Sequence, residues 1–167
     1  MAQQIKAGWS DLDAYCAILE KLGGNVENIM KAALYEGADV IADAVRAEIE
    51  ALPVKKGTGF TQKVKDGLLQ GMGLSPMKTT EDGVDIKLGF DGYYGDPTKK
   101  YPKGFPIPFQ ARILIKGTSN TVKNDFVGRA VRKKKKKAVE AINVKIDEEV
   151  AKQIWGNEFD PEGLLPF

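Results

Sequence analysis

The stretch "VENIMKAALYEGADVIADAVRAEIEAL", residues 26–52, decides how this chain folds. Val26, Ile29, Met30, Ala33, Leu34, Ala38, Ile41, Val45, Ile49 and Leu52 recur at three- and four-residue steps, which lays one apolar stripe along a long helix. Asn25 stands where an N-cap belongs, and Pro53 closes the other end because it cannot continue a helix. A stripe of this length has to be covered by the rest of the chain.

Upstream, Ser10 caps "DLDAYCAILEKL", with Asp11 and Asp13 in the first turn and Gly23-Gly24 as the stop. Leu12, Tyr15, Ile18, Leu19 and Leu22 keep helical spacing, so residues 1–24 form an N-terminal helical extension. Downstream, "PVKKGTGF" is a loop and Thr61 caps a short helix in "TQKVKDGLLQG". "GLSPMKTTE" and "VDIKLGF" meet at Asp82-Gly83, a hairpin signal. Val84, Ile86, Leu88 and Phe90 alternate with Asp85, Lys87 and Gly89, the period of a half-buried strand. Residues 91–109, "DGYYGDPTKKYPKGFPIPF", form a long excursion of the kind that often serves function. "IPFQARILIKG" alternates like a strand, yet Pro106 and Pro108 equally suit a helix's first turn. After the turn "GTSNTVKND", Asn124 or Asp125 caps a last helix from Phe126 to about Trp155. The tail, 156–167, ends in Leu164, Leu165 and Phe167, which need cover from this subunit or a neighbour.

The totals exclude more than they assign. At 167 residues, with 43% apolar and 29% charged residues, the chain suits one domain with a core of its own. Its net charge of +2 is far from that of a histone-like polycation. There is no histidine and one cysteine, Cys16, which removes Ser–His and Cys–His catalysis, an intramolecular disulfide and a zinc site as readings. Neither phosphate-loop nor dinucleotide fingerprints occur, and no cofactor is called for. No apolar run reaches the roughly 18 residues of a membrane span, and "MAQQIKAGWSDLD" lacks a signal-peptide core, so a cytoplasmic protein without a membrane partner is expected. An enzyme would have to rest on carboxylates such as Asp82, Asp85, Asp91 and Asp96, whose bland reading is turn and strand-edge solvation. The expectation is a protein that is not an enzyme.

One stretch breaks the helical pattern. "RAVRKKKKKA", residues 129–138, sets five consecutive lysines inside the last helix. At about 100° per residue, Lys133, Lys134, Lys135, Lys136 and Lys137 put charge all round the axis. With Arg129 and Arg132 they crowd the helix's N-terminal half, while Asp147, Glu148 and Glu149 lie toward its C-terminus, the reverse of what the macrodipole prefers. Packed lysines also repel one another, so local helix energetics do not explain the collar. It is a solvated turn with its stems over apolar neighbours, a subunit contact to an acidic patch such as Asp147–Glu149, or a nonspecific contact with nucleic-acid phosphate.

Taken in order, "AALYEGADVIADAVRAEIEAL", "TQKVKDGLLQGMGLSPM", "DGVDIKLGFDGY", "KKYPKG", "ARILIKGTS" and "DFVGRAV" make a recognisable series. It closely resembles the tail-component family of tailed bacteriophages named for gene product ten of a lambdoid siphophage, over roughly Ile29 to Ile154. Gly117–Ser119 followed by the phenylalanine-led helix at Phe126 is its most specific piece. Where members often have an acidic residue and a proline, this chain has Lys116 and Asp125. The lysine run and the Asp-Pro-Glu-Gly tail are its own. The resemblance implies a compact α+β subunit, helices on a small antiparallel sheet, that does no chemistry. It further implies a neck or tail-completion protein of the virion, assembled in the host cytoplasm as a ring, commonly sixfold, around the DNA channel. Partners would be further copies of itself and the adjoining head-completion or connector and tail-tube or tail-terminator proteins. Besides the collar and the acidic end, Tyr93, Tyr94 and Tyr101 of the long excursion and Leu164, Leu165 and Phe167 of the tail are candidate assembly contacts. The runner-up is a nonspecific DNA-contacting protein that works through Lys133–Lys137, with contact to genomic DNA in the channel as its milder form.

Overall fold

A computed structural model describes residues 3–4, 26–54, 60–80 and 83–155. The fold is α+β, with two long helices and two short ones among the described residues, beside small antiparallel sheets. Helix α1 spans Val26–Glu50 and α4 spans Phe126–Trp155. They run antiparallel, since Glu48 of α1 meets Arg129 and Lys133 while Gly37 lies against Ala138 and Ile142. The stripe expected along α1 is its buried face, with Val26 partly buried, and Gly37 and Ala42 join it.

Gly37 explains how closely the two helices approach. A Cβ at that position would stand 2.5 Å from Ile142 Cγ1 and 3.1 Å from the Ala138 carbonyl oxygen, so only glycine leaves room. Ala130 and Ala138, both buried, keep the α4 side small as well. Around the Gly37 level Ile29, Met30, Ala33 and Leu34 pack with Ile142, Ile146 and Val84. Toward the other end Ile41, Val45, Ile49 and Phe126 belong to the larger core, and Phe90 meets the Phe126 ring edge-on at 6.1 Å.

Helix α2 spans Gln62–Gly71 and begins as expected, with Thr61 Oγ1 accepting from the Val64 amide. Lys65 on α2 donates to the Glu50 carbonyl and, at 3.4 Å, to that of Leu52 just beyond, so a cation caps the C-terminal end of α1, whose own final turn has no basic residue. Strand β1 is Gln3–Gln4, β2 Met72–Leu74, β3 Lys78–Thr80, β4 Gly83–Asp85 and β5 Lys87–Phe90. A three-stranded sheet has the order β1-β5-β2, and β3 pairs β4 with Thr80 opposite Gly83, the hairpin expected at Asp82-Gly83. The alternation holds through this region, with Val84, Ile86 and Leu88 buried.

The excursion of 91–109 is more organised than a plain loop. Strands β6, Tyr93–Tyr94, and β7, Phe105–Pro106, pair antiparallel and close a loop at 95–104. Gly104 permits that closure: its φ is +93°, and a Cβ there would lie 2.7 Å from the Tyr94 carbonyl oxygen. Helix α3, Ile107–Lys116, follows directly, so the ambiguous segment is helical, with Pro106 at the N-cap and Pro108 in the first turn. The expected N-terminal helix with Cys16, the Asp82 side chain and the tail with Leu164, Leu165 and Phe167 lie outside the described residues. Among those described, no helix is long and apolar enough to cross a membrane.

Candidate functional site

Helix α4 starts from a tight cap. Asp125 Oδ1 accepts from the Gly128 amide at 3.0 Å, and the Asp125 carbonyl accepts from Arg129 N. The carboxylate also places negative charge at the helix's positive end, which offsets part of the reversed charge order. Asn124 leads into the cap with its amide bonded to the Leu114 carbonyl.

The cations that follow divide into two groups. Glu48 of α1, 14% exposed, accepts from Arg129 Nε at 2.9 Å and from Lys133 Nζ at 2.6 Å. These hydrogen bonds, that of Lys133 foremost, hold its carboxyl below the ordinary carboxylate range. Arg132 reaches Asp125 Oδ2 at 3.4 Å. Three of the seven basic residues are thus matched within the molecule. Lys134, Lys135, Lys136 and Lys137 are all exposed and have no ion-pair partner among the described residues. Glu140, one turn further on, bonds none of them.

The acidic end of α4 is tied up in its own helix. Lys145 bridges Glu148 at 3.5 Å and Glu149 at 3.2 Å, and Glu149 also meets Lys152 at 3.0 Å. Those bonds lower the Glu149 carboxyl and, through Glu149 first, raise the Lys145 ammonium. Asp147 is exposed.

A second acidic surface lies on the solvent side of α1. Glu36, Asp39, Asp43 and Glu50 are exposed and fall within about 60° of one another around the helix axis. Asp43 has only a 3.8 Å contact with Arg46, and the other three carboxylates bond nothing among the described residues. Sequence reasoning followed the apolar stripe of α1 and missed this face, although carboxylates at i, i+3, i+7 and i+14 spell it out.

The tyrosines of the excursion separate. Tyr94 turns inward, where its Oη donates to Gln110 Oε1 at 3.1 Å and burial pushes its phenol up. Tyr101 stacks edge-on against Phe105 at 4.9 Å, and Phe105 lies 5.6 Å from Phe109. Tyr93 is 52% exposed. The carboxylates weighed for catalysis are scattered. Asp85 pairs with Lys87 at 3.5 Å, Asp91 accepts from the Gly92 amide, and Asp96 holds Lys63 at 2.7 Å, fastening the excursion to α2. Among the described residues no three Cys, Asp or Glu side chains come together as a metal site.

No family model matches this chain, and comparisons with curated proteins and with solved structures find no match either.

Proposed function

We propose that this chain is a structural, non-enzymatic subunit of the neck of a tailed-phage virion, forming a ring that completes the tail or joins it to the head. The observation that carries the reading is the set of four contiguous lysines, Lys134–Lys137, exposed and without an ion-pair partner among the described residues, on a helix whose neighbouring cations are matched. Four ammonium groups held together in this way cost self-repulsion unless a partner of opposite charge meets them. The sequence resemblance supplies the biological frame, and all of its segments but "KKYPKG", which lies in the loop at 95–104, hold structural elements. "AALYEGADVIADAVRAEIEAL" lies in α1 and just past it, "TQKVKDGLLQGMGLSPM" runs from the α2 cap beyond β2, and "DGVDIKLGFDGY" holds β4 and β5. "ARILIKGTS" is most of α3 with its Gly117 C-cap, and "DFVGRAV" caps and opens α4.

The same free lysines favour a second reading, nonspecific binding of duplex phosphates by counterion release. Light scattering of the wild type and of a variant with Lys134–Lys137 changed to Gln, each with and without duplex DNA, separates the two. The neck reading expects a closed oligomer of the wild type without DNA, seen as rings by electron microscopy. A wild-type monomer that binds DNA through these lysines, with affinity falling steeply as salt rises, overturns it in favour of the second.

A further inference from the structure

Resting on the ring reading, we infer that the lysine collar of one copy, through those of Lys134–Lys137 that one side of the helix presents, docks on the acidic outer face of α1 in a second copy, formed by Glu36, Asp39, Asp43 and Glu50. The two faces are complementary in charge: among the described residues the four lysines have no ion-pair partner, and the acidic face has one contact, Asp43 with Arg46 at 3.8 Å. Helices α1 and α4 lie side by side, yet the only carboxylate of α1 that reaches the collar is Glu48, from the buried side of the pair. The outer carboxylates face away from that seam.

The acidic face extends over fourteen residues of helix, roughly 20 Å, against roughly 6 Å for the run from Lys133 to Lys137. A docked copy therefore has acidic surface to either side of the collar as well as beneath it. Each face also offers an apolar contact. Tyr35, 42% exposed, sits one turn before Asp39, and Val144, 56% exposed, lies two turns beyond Lys137 on the same side of α4. An exposed tyrosine among charges is the kind of residue that anchors an interface, while the surrounding charges set its partner and register. Because the contact joins two different surfaces, a head-to-tail dimer keeps one of each free and adds copies until a ring closes, whereas a two-fold dimer would use both at once.

Charge reversal in trans tests this in the full chain. One variant carries Lys134→Glu, Lys135→Glu, Lys136→Glu and Lys137→Glu; the other carries Glu36→Lys, Asp39→Lys, Asp43→Lys and Glu50→Lys. All eight positions are exposed, and circular dichroism checks that each variant is folded. Self-association of either variant alone is expected to weaken at least tenfold, and an equimolar mixture to regain the wild-type mass. Should a reversed variant fold poorly, Lys134–Lys137→Gln and Tyr35→Ser replace it, each expected to shift assembly to higher protein concentration. A reversed variant that assembles alone like the wild type, or a mixture that stays monomeric, overturns this interface and leaves the ring reading standing. A wild type that stops at a dimer while the mixture is rescued overturns the ring and keeps the contact. A monomeric wild type, or mass that appears only with added duplex DNA, overturns both.

Discussion

Glu48 is the residue on which the seam between the long helices turns. It is one carboxylate holding two cations, mostly shielded from solvent. Glu48→Gln is expected to cost about 1 kcal/mol at neutral pH, the scale of a partly exposed ion pair with good hydrogen bonds. Its pH dependence has a definite sign. The folded carboxyl titrates below its unfolded value, so its contribution is present above the ordinary carboxylate range and is lost as pH falls through the lower, folded value. Urea denaturation of wild type and variant should therefore differ at pH 7 and converge as the pH falls below the ordinary carboxylate range. Asp125→Ala removes the α4 cap and the Arg132 partner together, and the same measurement should show a loss of about 1 kcal/mol.

Among elements, the contact of α1 with α4 is set by the one residue that lacks a side chain. Gly37→Leu has to push the helices apart or displace Ile142, which is expected to cost about 1–3 kcal/mol by overpacking. Ile142→Ala also destabilises, but it opens space where the leucine would go. The double variant should lose less than the sum of the singles, read from a double-mutant cycle by urea denaturation. How far the elements were legible follows from what signalled them. Helices α1 and α4 carry caps and periodicity in the sequence itself, and Thr61 and the Asp82-Gly83 hairpin are local signals too. The segment at 107–116 stayed open because its alternating apolar residues fit a strand. Only its place after β7, with Ile107, Ala111 and Leu114 turned to the core, decides for the helix. Likewise no local signal binds Glu48 to Arg129, 81 residues away, or turns Tyr94 inward onto Gln110. The collar was plain in the sequence. Which of its lysines are free was not, since that depends on those distant partners.

For the whole molecule, the collar sets repulsion within a copy against the attraction between copies that the proposed interface requires. Diluted to the single subunit, a Lys134–Lys137→Gln variant is expected to melt at a higher temperature than the wild type at low salt. Glutamine has a helix propensity close to that of lysine and removes the like-charge pairs. The difference should close as salt rises toward 1 M, where the Debye length falls to about 3 Å. On the proposed interface the order reverses at high protein concentration, because assembly would stabilise the wild type by mass action and not the variant; scanning calorimetry across a dilution series checks both limits. The antiparallel pairing of α1 with α4 also bears on how the chain is made. The surface that covers α1 leaves the ribosome some eighty residues after α1 itself, a delay of roughly 4–16 s at typical elongation rates. For that interval the part of the stripe that α4 covers stays open on the newborn α1, so chaperones that bind apolar segments should hold chains truncated before Phe126 more tightly than the full chain.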